Sequence, residues 1–297
     1  GQGYWAGAPG IFYDEQRESF LLTYRRRRPR GTASDRGYQG FVAESKDGIT
    51  FHDIWTIKKE QLSTTSMERF SLQKSPDGQY LLYLSYVDPT DNRWRIDVIK
   101  SEQPETFNPA NAQKILAADD TDSEGVKDPF IWKVGPAYYM FVSFASTRSW
   151  TKEEQVNAHA TADVYTTGLT VAPSGLAISM DGIHYRWAGE IFPVGEGWDR
   201  YQSRLTSIIR VDDAFVGFYD GSADATENYE ERCGLATSFD LKHWDRLTIA
   251  QPWVVGPYGT GSVRYIQALT IGEELWIYYE YNRSDAAHEL RLARLSL

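Results

Sequence analysis

The chain has 297 residues, 41% of them apolar and 24% charged, which suits a folded domain and excludes a disordered chain. No apolar run reaches the ~18 residues that a membrane-crossing helix needs, and the single cysteine, Cys233, excludes an internal disulfide and a cysteine-rich zinc site. A net charge of −10 argues against nucleic acid and an anionic membrane surface as partners. Aromatic residues make up 14%, with 10 Trp and 19 Tyr, as suits a β-rich core. The first residues, Gly1-Gln2-Gly3-Tyr4, show no basic or apolar leader pattern, and the compartment stays open.

Along the chain, short runs rich in aromatic and β-branched residues recur between turn formers, which reads as strands. They come in pairs: residues 8–13 with 19–24, 68–74 with 79–86, 128–132 with 137–144, 204–210 with 214–219, and 264–269 with 274–279. Ser75-Pro76-Asp77-Gly78 is the clearest turn within a pair. A third strand follows most pairs and closes on a shared signature. It reads Ser45-Lys46-Asp47-Gly48-Ile49-Thr50-Phe51, Ser179-Met180-Asp181-Gly182-Ile183-His184-Tyr185 and Ser238-Phe239-Asp240-Leu241-Lys242-His243-Trp244, with a weaker copy ending at Phe107. The pattern predicts a tight Asp/Gly turn and an aromatic that packs down behind it. A short fourth strand follows, as in residues 52–58.

The residues that open the repeats are Ala8, Glu68, Asp128, Arg204 and Arg264, spaced 60, 60, 76 and 60 apart, with the excess in residues 147–174. Such a period predicts an all-β, five-bladed β-propeller with blades of three to four antiparallel strands, one domain over residues 1–297. The fifth repeat reaches Leu297 without a copy of the fourth strand, so the residues near Tyr4 and Trp5 are the candidates for closing the ring.

In that architecture the opening strands line a central channel. Glu68, Asp128, Arg204 and Arg264 then stand around one axis, with Ala8 in the fifth place. The ends of the second strands and the adjoining loops share the same face, which adds Arg25, Tyr86, Ser143, Asp220, Glu231, Glu280 and His288. The run from Arg25 to Arg30 reads mostly as a solvated loop, with Arg25 closest to the face. Trp5, Trp94 and Trp150 are candidate sugar platforms, and residues 147–174, with His159, a candidate lid. No phosphate loop, His-Glu-x-x-His or Gly-x-Ser-x-Gly motif is legible, so no metal or cofactor is expected. Cys233 reads as packing.

The repeat, its turn-plus-aromatic signature, and Gly125-Val126-Lys127-Asp128-Pro129-Phe130-Ile131-Trp132 resemble the five-bladed propeller glycosidase superfamily, which holds arabinanases and xylosidases, invertases and levansucrases, and mannoside phosphorylases. The resemblance covers the whole chain and implies channel acids at Asp128 and Glu68. Three positions depart from it. Ala8-Pro9 stands where the hydrolytic families carry a carboxylate beside Pro. Lys127 replaces the Arg of the invertase pattern, and Phe130 the Arg of the phosphorylase pattern.

The chemistry expected of this set is glycosidic bond cleavage on a small-molecule carbohydrate. One carboxylic acid protonates the leaving oxygen, and a carboxylate serves as base or nucleophile. Asp128 is the expected base or stabiliser and Glu68 its partner acid, with roles interchangeable. Arg204, Arg264 and Arg25 suit an anionic group through forked hydrogen bonds, so a small or terminal sugar, anionic or furanose, is favoured. Asp220 and Glu280 are further carboxylates for the set. Two other readings stay open. One is an inverting phosphorylase with Arg204 and Arg264 holding phosphate. The other is a propeller that binds without cleaving, or one recruited to other chemistry. Either acid locked against Arg204 or Arg264 in a closed, filled channel would count against hydrolysis and put the last reading first.

Overall fold

The structure, a computed structural model, describes residues 1–29, 31, 36–147 and 149–296. Antiparallel strands dominate it, joined in successive groups. The first group is β1 (Trp5–Asp14), β2 (Ser19–Arg27), β3 (Gly37–Ser45) and β4 (His52–Lys58), and the second is β5 (Met67–Lys74), β6 (Tyr80–Val87), β7 (Trp94–Ser101) and β8 (Gln113–Leu116). The third is built on β9 (Val126–Val134) and β10 (Ala137–Phe144). After a small hairpin of β11 (Ser146–Thr147) and β12 (Thr170–Val171) it continues as β13 (Ser174–Ser179) and β14 (Arg186–Phe192). Then come β15 (Gln202–Val211), β16 (Ala214–Ser222), β17 (Arg232–Ser238) and β18 (Asp245–Arg246), and finally β19 (Val263–Ile271), β20 (Glu274–Asn282) and β21 (His288–Ser296). The helix α1 (Lys152–Ala160) lies between β11 and β12, started by the Thr151 side chain accepting from the Glu154 N–H.

Apolar clusters sit between neighbouring groups. Leu21, Val42, Phe70 and Leu82 join the first two. Leu81, Val98, Tyr138 and Ala177 join the second and third. Phe141, Leu176, Leu205 and Trp244 continue the series, then Ile209, Phe218, Ile266 and Ile277, with buried Cys233 among them as packing. Phe20, Phe41, Trp276 and Tyr278 join the last group to the first. The first strands follow the same order. β1 touches β5, β5 touches β9, β9 touches β15, β15 touches β19, and β19 returns to β1. Near Tyr4 and Trp5, β1 also meets β21 in parallel at Trp5 and His288, and the His288 N–H donates to the Tyr4 carbonyl at 3.1 Å.

The turn signature does what its sequence predicts. The Asp47 carboxylate accepts the N–H groups of Ile49 and Thr50 at 2.8 and 2.7 Å, and Asp181 and Asp240 repeat the pattern. The aromatic behind each turn packs on the preceding group: Phe51 on Tyr278, Phe107 on Trp55, Tyr185 on Tyr83, and Trp244 on Phe141. Burying one such ring contributes roughly 1.5–3 kcal/mol.

The register differs from the sequence reading by one residue in the last two groups. Each first strand carries a β-bulge. Pairing skips from Gly7 to Gly10, from Met67 to Phe70, from Lys127 to Phe130, from Leu205 to Ser207 and from Arg264 to Gln267. Aligned on Gly10, Phe70, Phe130, Ser207 and Gln267, Arg204 and Arg264 match Gly7, Met67 and Lys127. Leu205 and Tyr265 then match Ala8, Glu68 and Asp128. The inserted hairpin and helix lengthen one interval by a residue more than the sequence pattern could fix.

Candidate functional site

The bulges bring the inner ends of the first strands together around a buried ionic network. Two of the bulged residues, Ala8 and Asp128, precede proline and hold φ of +54° and +60°; Tyr265 holds +51°. Left-handed backbone at non-glycine residues is strained, and such strain gathers at functional sites.

The network alternates in charge. Arg27 approaches Glu68 at 3.4 Å, and the Arg25 Nε donates to Glu68 at 2.8 Å. Arg25 reaches on to Glu280 at 3.4 Å. Glu280 accepts from Arg264 at 2.7 Å and contacts the His288 Nδ1 at 2.6 Å. Arg264 also donates to Glu231 at 2.5 Å, and Glu231 lies 3.7 Å from Arg204. Arg204 closes the chain by donating to both Asp128 at 2.5 Å and Asp220 at 2.7 Å. Arg25, Glu68, Asp128, Arg204, Asp220, Glu231, Arg264 and Glu280 all have no exposed surface.

The predicted channel acids, Arg25, Arg204, Arg264 and His288 therefore converge, and Tyr86 does not. Tyr86 is buried in a separate network, donating to Asp97 at 2.7 Å beside Arg95 and Asp88. The place left without an acid at Ala8 is filled from the last group. The Ala8 N–H donates to Glu280 at 2.8 Å, and a Cβ on Gly7 would fall 1.7 Å from that oxygen. Gly7 is thus needed for the carboxylate to fit. Trp5 and Trp94 also reach the centre, Trp5 stacked on His288 at 3.8 Å and Trp94 over Lys127 at 5.2 Å. Trp150 meets His159 away from it. Arg26 stacks on Phe41 at 4.4 Å, and Arg30 lies outside the described residues.

Sequence reasoning missed four groups. Tyr265 is the ring at the middle, with the guanidinium of Arg204 at 4.0 Å and that of Arg264 at 5.0 Å. Its hydroxyl approaches Asp128 at 3.3 Å. Lys127 is fully buried and boxed by Tyr165 at 4.2 Å, Trp94 and Tyr229 at 5.2 Å. Tyr165 comes from the 147–174 segment, which thus packs one ring over Lys127, while His159 meets Glu124 at 2.8 Å. Tyr229 and Arg27 complete the roof, and the Tyr229 hydroxyl donates to Asp163. Above them lies a depression of about 430 Å³ lined by Arg27, Arg36, Asp163, Thr166, Asn228 and Tyr229. The signals for Lys127 and Tyr265 were in the sequence, each beside a residue already singled out. Those for Tyr165 and Tyr229 depend on loop folding.

The environment splits the carboxyls. Burial pushes Asp220 up, against the pull of Arg204, to about 6. Burial also pushes on Glu68, but Arg25 and Arg27 outweigh it and hold its carboxyl at about 2. Arg264 and Arg204 keep Glu231 below the usual range, as Arg264 and Arg25 keep Glu280. Burial lowers the Lys127 ammonium. Among the described residues, no three His, Cys, Asp or Glu side chains are grouped to hold a metal ion.

No family model and no curated protein matches the sequence. Solved structures do match in fold. A glycoside hydrolase aligns at a TM-score of 0.71 with 13% identity, over 99% of this chain and 88% of that one. A thermostable family-43 glycoside hydrolase aligns at 0.66 with 12% identity, over 99% and 90%. The β-1,2-mannobiose phosphorylase from Listeria innocua aligns at 0.64 with 14% identity, over 100% and 91%. The chain shares the fold of the propeller glycosidases that its sequence resembles.

Proposed function

We propose that the chain is a carbohydrate-active enzyme that cleaves a glycosidic bond of a small or terminal sugar at the centre of a five-bladed propeller. The five strand groups are its blades, and the contact of β21 with β1 joins last to first. The observation that carries the activity is the pair of buried carboxyls, Asp220 and Asp128, joined by the Arg204 guanidinium at 2.7 and 2.5 Å, with Asp220 pushed up to about 6. Two carboxyls in one site, one of them holding its proton more tightly, are the arrangement that acid–base cleavage uses. Asp220 takes up its proton below about 6 and serves as the acid. Asp128, paired with Arg204 at 2.5 Å, serves as base or stabilising carboxylate. Glu68 is better suited to remain a carboxylate than to donate a proton.

A second reading is favoured by the same Asp128–Arg204 contact, which locks the acid in a closed centre and so counts against hydrolysis. An acid bound to arginine in a roofed centre fits a propeller that holds a sugar without cleaving it. A panel of aryl glycosides and disaccharides, with and without inorganic phosphate, separates the readings. Cleavage predicts turnover that Asp220→Asn and Asp128→Asn each abolish while sugar binding persists. An absolute need for phosphate turns the reading to phosphorolysis. Binding without any turnover establishes the second reading.

A further inference from the structure

The centre holds more unused hydrogen-bonding capacity than its ion pairs explain, and much of it is cationic. The Lys127 Nζ is fully buried and makes no hydrogen bond. Its nearest carboxylate oxygen, on Asp128, is 3.9 Å away. The rings of Trp94, Tyr165 and Tyr229 surround it, with Asp163, Glu68 and Arg204 farther out. The Arg25 Nη1 and Nη2 and the Arg27 Nη1 also donate nothing, although both guanidiniums approach carboxylates. Buried charged donors left without acceptors are costly. Beside them, Glu68 Oε1 accepts no hydrogen bond and meets Arg27 only as an ion pair at 3.4 Å, and the Ser143 and Ser222 hydroxyls and the Gln202 Oε1 are unpartnered. Ser143 faces Lys127 across the β9–β10 pair, and Ser222 faces Gln202 across β15–β16. Cationic donors thus border neutral hydroxyl and amide groups. A carboxylate needs the first set and sugar hydroxyls need the second.

Resting on the carbohydrate reading above, we propose that the substrate carries a carboxylate — an acidic sugar of the uronate class — which Lys127, Arg25 and Arg27 bind. The ring of Tyr229, held by its bond to Asp163, covers this site beneath the depression, so entry requires that roof to swing aside. The aromatic walls keep water from the ammonium and present faces on which a pyranose ring can lie.

The test is calorimetric binding of two matched pairs, D-galacturonate with D-galactose and D-glucuronate with D-glucose. The expected result is that the acidic member of at least one pair binds about 30-fold more tightly than its neutral partner. Lys127→Met removes that preference, while Lys127→Arg keeps most of it. If Lys127→Met fails to fold, as its thermal transition reports, Arg27→Gln supplies the same test from the roof. Equal binding of acidic and neutral sugars overturns the acidic substrate and leaves the carbohydrate reading standing. Inorganic phosphate binding that needs Lys127, with no uronate preference, overturns it in favour of a phosphate site. Failure of every sugar to bind or turn over overturns both readings.

Discussion

The buried centre and the exposed turns meet their polar demands in opposite ways. At the turns, each carboxylate is satisfied within a few residues. Asp181 accepts from Ile183, His184 and Ser179, all within three positions. At the centre, partners come from distant parts of the chain: Arg204 with Asp128, Ala8 with Glu280, Arg25 with Glu68. A local network forms with its turn and survives the loss of a neighbour. A distributed one exists only when every strand group is in place, and each charge in it depends on the others. Unlike the turns, the centre holds buried charged atoms, the Lys127 Nζ among them, that make no hydrogen bond, and the proposed chemistry is placed there for that reason.

The largest break in that comparison is expected from Arg264→Met. It leaves Glu231 and Glu280 buried without their main cation, and removing one partner of a buried pair costs about 3–5 kcal/mol. Adding Glu231→Gln should recover part of the loss, with a coupling above ~0.5 kcal/mol that marks a shared network. Urea unfolding of the single and double variants measures both. Strict additivity would show that the centre is a set of independent pairs.

A pH series sharpens the contrast further. Asp220 is held at about 6, above its ordinary 3.8. The folded state therefore binds this proton more tightly than the unfolded chain does. That stabilisation is full below about 4 and is lost as pH rises through about 6. The turn acid Asp181 lies below its ordinary value, so its contribution is present above about 4 and lost only as pH falls. Stability measured from pH 4 to 7 should fall in the parent chain relative to Asp220→Asn, while Asp181→Asn should leave that slope unchanged. A flat difference between parent and Asp220→Asn would mean that Asp220 stays ionised and is not the acid.

How much was legible follows from the same division. The turns could be read because Ser, Asp, Gly and an aromatic at fixed offsets carry the whole interaction. The repeat period and the all-β architecture followed from them, and the meeting of the chain ends at Trp5 was anticipated. At the centre, residue types were legible but pairings were not. Glu68 and Asp128 read as a pair of acids, whereas Arg25 and Arg27 hold the first and Arg204 the second, and Glu280 fills the place opposite Ala8. Placing Arg204 and Arg264 level with Asp128 was off by one, because a bulge leaves no mark in a sequence where Ser203, Thr206 and Ser207 are interchangeable in pattern. Lys127 was visible only as a departure from a motif, since its aromatic box is built from three segments.

The smallest expected effects test whether the turns are as local as they look. Gly182 and Gly78 both hold left-handed backbone, with φ of +78° and +84°. A Cβ on Gly182 would meet Leu81 at 2.6 Å and the Tyr83 hydroxyl at 3.0 Å, whereas one on Gly78 meets nothing within 4 Å. The Tyr83 hydroxyl also donates to the Gly182 carbonyl at 2.9 Å, tying the turn of one group to the second strand of the preceding one. Gly182→Ala should therefore cost roughly 2–3 kcal/mol, from backbone strain plus crowding of a filled interface. Gly78→Ala should cost about 1 kcal/mol, from backbone strain alone. Thermal unfolding of the two variants gives the difference directly. Equal losses would mean that the interface between groups yields to a methyl group, and that the turn signature holds its own loop rather than joining neighbouring groups.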